Sequence, residues 1–269
     1  MIRTLAFAAL LGLIPALAQA DSTLDRIKDR GTVSIGIRIN STAFGSLDPK
    51  TNSYQGFNID LAEEIGRRLG AKVELVSVEP ANRIQFLQQG KVDLLVASLN
   101  DTPERREQVA MVPTSYYASG GIALTRQDSG VNGWDDVRGK PVCASQGSIY
   151  ARYLAEHYGA EIKAFKTSSE ALETFKAGGC VASAHDDVLL YALIKDPAWQ
   201  GYRLITPAVE VSDWKVAARK GQDDTVAALD AIIRDLHRTG RLIEIEKAWD
   251  INPSPALQAL HDQLAQAQP

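Results

Sequence analysis

Short apolar runs and amphipathic stretches alternate along most of this 269-residue chain. Apolar runs at 32–38, 72–78 and 92–97 predict strands. Between the first two, residues 57–69 carry Phe57, Leu61, Ile65 and Leu69 at helical spacing. A shorter helix is predicted at 82–88, and another opens at Thr102. A second series follows, with strands at 141–144, 162–165 and 181–185 and helices at 149–157, 168–177 and 188–194. This alternation predicts an α/β fold with mostly parallel sheets covered by helices on both faces.

Two extended segments, 120–125 and 209–219, bracket the second series. They suggest that the chain crosses to a second lobe and returns. Residues 224–238 place Val226, Leu229, Ile232, Ile233 and Leu236 near one helix face. A partner could bind such a stripe, but packing against the first lobe is its usual role. Lobe 1 is therefore assigned to 21–124 and 211–269, and lobe 2 to 125–210.

Residues 1–20 read as a secretory signal. Arg3 supplies the positive start, 5–17 the apolar stretch, and Ala18-Gln19-Ala20 the cleavage site. The apolar run is short of the roughly 18 residues a membrane span needs. Asp21 follows where a lipid anchor would need Cys. The expected product is a soluble periplasmic protein starting near Asp21.

A net charge of −4 with no basic run argues against nucleic acid as partner. Cys143 and Cys180 are the two cysteines, and in an exported chain they most simply form one disulfide. Loop-closure entropy would make it worth roughly 4 kcal/mol. Neither lies in a C-x-x-C pair, and the four histidines show no metal spacing with them. No metal and no cofactor are expected.

The richest chemistry lies after the 92–97 strand. Ser98, Asn100, Asp101 and Thr102 break the apolar run, and Pro103, Glu104 and Arg105 open a helix. Thr102 fits the N-cap and Pro103 the first helical position. Hydroxyls, an amide, free backbone N–H groups and a guanidinium thus gather at one strand's C-terminal end. Open α/β sheets bind ligands there, and this set suits a carboxylate.

Further motifs fall in order along the chain. They are Gly56-Phe57-Asn58-Ile59-Asp60-Leu61, Asn82-Arg83-Ile84, Gly90-Lys91-Val92-Asp93-Leu94, Thr102-Pro103-Glu104-Arg105, Ser115-Tyr116-Tyr117 and His185-Asp186-Asp187. Over nearly all of the mature chain this set resembles the extracytoplasmic solute-binding proteins of family 3. These are the polar amino-acid binders of ABC importers. Asn58 stands where that family usually has an acid.

The resemblance implies a type II periplasmic-binding-protein fold: two α/β lobes, joined by two hinge strands, that close on a ligand. It implies a monomer serving a membrane permease. The crossings near 121–125 and 210–215 match the family's hinges, and Cys143 and Cys180 match a disulfide found in a subset of members. Arg105 would grip an amino acid's α-carboxylate, with Ser98 and Asn100 adding contacts. Asp186, on the other lobe, would accept from the α-ammonium. At Gly147-Ser148-Ile149 the family often has a glycine and two threonines. Ser148 keeps a hydroxyl, Ile149 loses one, and backbone N–H groups remain to meet the carboxylate.

Plainer roles exist for each residue. Arg105 could be a solvated helix residue, Asp186 a helix N-cap, and Arg83 a solvent-facing residue. Phe44 could wall the ligand or merely pack its loop. Arg38 and Arg83 match positions that are basic in glutamate/aspartate-binding relatives, and two extra guanidiniums would suit a side-chain carboxylate. An acidic amino acid is therefore favoured, with polar neutral ones such as glutamine behind.

No G-x-S-x-G, H-E-x-x-H, P-loop or G-x-G-x-x-G motif supports an enzyme, and no catalytic residue is assigned. A cyclohexadienyl-dehydratase-like enzyme shares the fold and is the rival. A third reading, a binding module feeding a receptor, would need that receptor to be a separate protein.

Overall fold

The computed structural model describes residues 22–39 and 43–266. The expected signal sequence at 1–20 lies outside the described residues.

The first part of the chain forms α1 (Thr23–Arg30), β1 (Thr32–Ile37), β2 (Ser46–Leu47), β3 (Tyr54–Gln55), α2 (Phe57–Leu69), β4 (Lys72–Ser77), α3 (Arg83–Gln88), β5 (Leu94–Val96), α4 (Pro103–Gln108) and β6 (Ala110–Met111). The middle forms β7 (Tyr117–Arg126), β8 (Pro141–Ser145), α5 (Ile149–Tyr158), β9 (Glu161–Phe165), α6 (Ser168–Lys176), β10 (Ala182–Asp186), α7 (Asp187–Leu193) and β11 (Tyr202–Trp214). The chain then adds β12 (Ala217–Ala218), α8 (Asp223–Arg238), α9 (Arg241–Ala248) and α10 (Pro255–Gln266).

Two five-stranded sheets result, one per lobe. The first has the order β4-β1-β5-β12-β6 and the second β11-β7-β10-β8-β9. In the first, β1 runs parallel to β4 and β5, while β12 is antiparallel to both neighbours. In the second, β8 runs parallel to β9 and β10, while β7 is antiparallel to both neighbours. The parallel strands are those of the βα alternation. The antiparallel ones are the segments that carry the chain across and back.

Each sheet is covered on both faces. On lobe 1, Val33, Ile35 and Ile37 pack under Phe57, Leu61 and Ile65 of α2 and Leu229, Ile233 and Leu236 of α8. So the stripe on 224–238 turns inward. Val92, Leu95 and Leu87 form the opposite face. Each such side chain contributes roughly 1.5–3 kcal/mol on leaving water. On lobe 2, Val142, Leu154 and Ala182 lie in the cluster on one face, and Leu124, Phe175 and Leu190 in the cluster on the other. The Cys143–Cys180 disulfide is formed, with Cα atoms 5.8 Å apart.

The chain enters the second sheet at Tyr117 and leaves it after Trp214, and these two residues are paired in register. The expected lobe boundaries at 124/125 and 210/211 fall inside these paired strands. An aromatic cluster sits at this junction. Phe44 packs edge-on against Tyr117 at 5.1 Å and Trp214 at 5.3 Å. Phe44 therefore packs its loop into the core.

Candidate functional site

The parallel strands of both sheets turn their C-terminal ends toward the space between the lobes. Arg38 follows β1, Ser98 to Asn100 follow β5, Gly147 and Ser148 follow β8, and Asp186 ends β10.

The corner after β5 folds as its sequence predicts. The Thr102 hydroxyl accepts from the Arg105 N–H at 3.3 Å, with Pro103 at the helix start. Before it, Ser98 is held at a φ of 50°, a conformation that needs support from its surroundings. Its N–H donates to the Tyr116 hydroxyl at 2.9 Å, and its own hydroxyl accepts from Asn58 Nδ2 at 3.1 Å. Arg83 donates to the carbonyls of Ala97 at 2.5 Å and Ser98 at 3.0 Å. Three side chains thus pin one turn. Asn58, the departure from the family pattern, is one of the pins.

Arg83 is accordingly buried, not solvent-facing. Burial, then the neighbouring Arg105 and Arg38 charges, lowers its pKa well below the ordinary value. Arg105 is also buried. Its Nη1 donates to the Asn100 carbonyl at 2.9 Å and to Asn100 Oδ1 at 3.3 Å. Its Nη2 reaches across to the Gly147 carbonyl of the second lobe at 3.0 Å. Burial lowers its pKa to about 10, so it remains charged at neutral pH.

Asp186 occupies the N-cap position of α7 but makes no side-chain capping bond. Its carboxylate turns instead to the cleft. Oδ1 accepts from the Tyr150 hydroxyl at 2.9 Å, and Oδ2 from Arg38 Nη1 at 3.3 Å. Burial alone would raise its pKa. The His185 ring, the Arg38 guanidinium and the Tyr150 hydroxyl together outweigh that and hold it below the usual carboxylate range.

Behind this pair, Ser168 Oγ lies 2.7 Å from His185 Nε2 and 2.9 Å from Ser145 Oγ. The Asp186 backbone N–H donates to His185 Nδ1 at 2.7 Å. The same nitrogen lies 3.2 Å from Asp186 Oδ2, so the ring touches the carboxylate as well.

Arg38, Arg83, Asn100, Ser148 and Asp186 line one interlobe pocket, together with Tyr150 and His185. It encloses about 20 Å³, space for about one water. Arg105, Ser148 and Ile149 line a neighbouring, more open cavity of about 270 Å³ at the cleft mouth. Ser98 lines neither; its hydroxyl is engaged by Asn58. Sequence reasoning missed Tyr150. Its position one residue after Ile149, in the first turn of a helix facing the cleft, was the available signal.

No helix among the described residues is long and apolar enough to cross a membrane. Those residues also hold no group of three or more His, Cys, Asp or Glu that could bind a metal.

Comparison with known proteins agrees with this architecture. A family model described as "Bacterial extracellular solute-binding proteins, family 3" matches residues 33–252. The glutamine-binding protein GlnH of Bacillus subtilis is 27% identical over 87% of this chain and 86% of its own length. The L-glutamate/L-aspartate-binding protein of Pseudomonas aeruginosa is 26% identical over 95% of this chain and 88% of its own. Among solved structures, an ancestral amino acid-binding protein described as a precursor of cyclohexadienyl dehydratase superposes with a TM-score of 0.75. It is 26% identical and covers 85% of this chain and 99% of that one. The fold is the type II periplasmic-binding-protein fold.

Proposed function

The chain belongs to the bacterial extracellular solute-binding proteins, family 3, and from that membership we propose that it binds an acidic amino acid between its lobes and delivers it to an ABC importer. One observation carries the choice of ligand. Three buried guanidiniums, from Arg38, Arg83 and Arg105, outnumber the carboxylates beside them at the cleft, the buried Asp186 and the half-buried Glu79. A site with that excess of positive charge favours a ligand that brings more than one carboxylate. Glutamate and aspartate bring two carboxylates and one ammonium. The named glutamate/aspartate-binding relative supports this reading.

In this account Arg105 holds the α-carboxylate at the cleft mouth, with Asn100 and the backbone at Ser148 and Ile149 beside it. Arg38 moves from Asp186 to the side-chain carboxylate, and Asp186 accepts from the α-ammonium. Arg83 keeps the Ser98 turn in place. Entry requires the lobes to part, since the pocket between them is far smaller than an amino acid. Strands β7 and β11 carry that hinge motion. A periplasmic location, reached through the signal at 1–20, and a monomeric state complete the proposal.

We read the chain as a binder, not an enzyme. The His185–Asp186 neighbours would be the natural acid–base pair for a dehydratase-like reaction. The family, however, is one of solute-binding proteins, and both ring nitrogens of His185 are already engaged, Nε2 with Ser168 and Nδ1 with Asp186. Incubation of the full chain with prephenate or arogenate tests this. Release of carbon dioxide and water would reverse it. Calorimetry with glutamate, aspartate, glutamine, arginine and cystine tests the ligand class.

A further inference from the structure

Tyr150 stands in the cleft beside Asp186, its hydroxyl on that carboxylate. It is buried on lobe 2, in the first turn of α5, and lines the inner pocket. Its side chain packs against β7 at Gly121. A Cβ built on Gly121 would stand 2.5 Å from Tyr150 Cδ1 and 2.6 Å from Cγ. So the ring occupies space that only a glycine leaves open. Its hydroxyl donates to Asp186 Oδ1 at 2.9 Å. From lobe 1, Asn100 Nδ2 donates to the same hydroxyl at 3.4 Å.

These contacts fix the ring at both ends. Although β7 crosses between the lobes, Gly121 is paired in register with Asp186 inside the second sheet, so these two contacts hold the ring within lobe 2 however far the lobes are closed. The ring therefore forms a rigid floor beside the carboxylate that would receive the ligand's ammonium. A long ligand side chain would need this volume.

We propose that Tyr150 sets the length of ligand the cleft accepts, and that it selects aspartate over glutamate and longer side chains. This inference rests on the reading of the cleft as an acidic amino-acid site. Exclusion of one methylene by a rigid wall gives about tenfold discrimination or more.

The test is titration calorimetry of the full chain with aspartate, glutamate, glutamine and arginine, on the wild type, Tyr150→Leu and Tyr150→Phe. Leucine keeps an apolar side chain against Gly121 but removes the far half of the ring. Phenylalanine keeps the floor and loses only the hydroxyl. The wild type is expected to favour aspartate over glutamate at least tenfold. Tyr150→Leu is expected to shift that ratio at least tenfold toward glutamate, and Tyr150→Phe to weaken both while holding the ratio within about threefold.

An unchanged ratio in Tyr150→Leu, with binding retained, overturns the role of Tyr150 and leaves the acidic amino-acid reading standing. A wild type that binds glutamate as tightly as aspartate does the same. A wild type that binds none of the four ligands overturns the reading of the site itself. Melting curves on each variant identify any loss of ratio that comes from unfolding.

Discussion

Arg38 and Asp186 face each other across the cleft, a guanidinium nitrogen of lobe 1 standing 3.3 Å from a carboxylate oxygen of lobe 2, with both side chains buried. A buried pair of this kind adds little net stability, because desolvation offsets the attraction. Removing one partner is costly, because the other charge is left buried. The pair thus holds two complementary charges in readiness at the place where a zwitterion would insert, and Arg38 can exchange one carboxylate for another.

Arg38→Ala should weaken an acidic ligand much more than a neutral one. Loss of a buried charge-assisted contact corresponds to about 2 kcal/mol or more, roughly 30-fold in affinity. Glutamine, which brings no second carboxylate, should lose much less. Calorimetry with aspartate, glutamate and glutamine checks this, and equal losses would count against Arg38 as the reader of the side chain.

The Asp186 pKa predicts a pH dependence of stability. Its folded value lies below the ordinary 3.8, so the ionised form is favoured in the native state. The resulting stabilisation is complete well above the unfolded value and is lost as pH falls through the unfolded value toward the native one. Melting temperatures of the wild type and Asp186→Asn should therefore differ most near neutral pH. The gap should close between about pH 5 and pH 2. A gap that stays constant over that range would show that the carboxylate charge is not what matters.

Gly147 should be intolerant of a side chain. It has a φ of 76°, and an added Cβ would meet the Pro80 carbonyl oxygen of the opposite lobe at 2.8 Å. Gly147→Ala combines a left-handed backbone cost of about 1–2 kcal/mol with a wedge between the lobes. It should hold the cleft more open and weaken ligand at least about tenfold, by the loss of roughly 1.4 kcal/mol of closure energy. Small-angle scattering with and without ligand would report the failure to close; normal compaction would contradict it.

The Cys143–Cys180 disulfide closes a loop with a sequence separation of 37. Loop entropy puts its contribution at roughly 4 kcal/mol. The reduced protein, or Cys143→Ser with Cys180→Ser, should melt well below the oxidised one while ligand affinity near Asp186 is kept. Equal melting points would mean that the reduced chain is already restrained.

Much of this was legible in the sequence because it depends on local pattern. The βα alternation, the Thr102 and Pro103 helix start and the inward stripe of α8 all follow from periodicity and capping. The roles of individual cleft residues were harder to read because they depend on distant partners. Nothing local tells that Arg83 braces the carbonyls of Ala97 and Ser98, or that Asn58 holds the Ser98 hydroxyl. Tyr150 reads as an ordinary helix aromatic until the bare Gly121 is placed against its ring. The β11 strand extended further back than its pattern suggested, from Tyr202, because pairing with β7 stabilises residues with no strong alternation of their own.

The central claim is that the excess of buried guanidiniums around Asp186 selects an amino acid with two carboxylates. Titration calorimetry of the full chain with aspartate, glutamate, glutamine and arginine under one buffer condition tests it most directly. The account predicts that the tighter of the two acidic ligands binds about 100-fold or more above glutamine and arginine, a gap of roughly 2.7 kcal/mol. Tighter binding of arginine or glutamine, or no binding of any of the four, would contradict it.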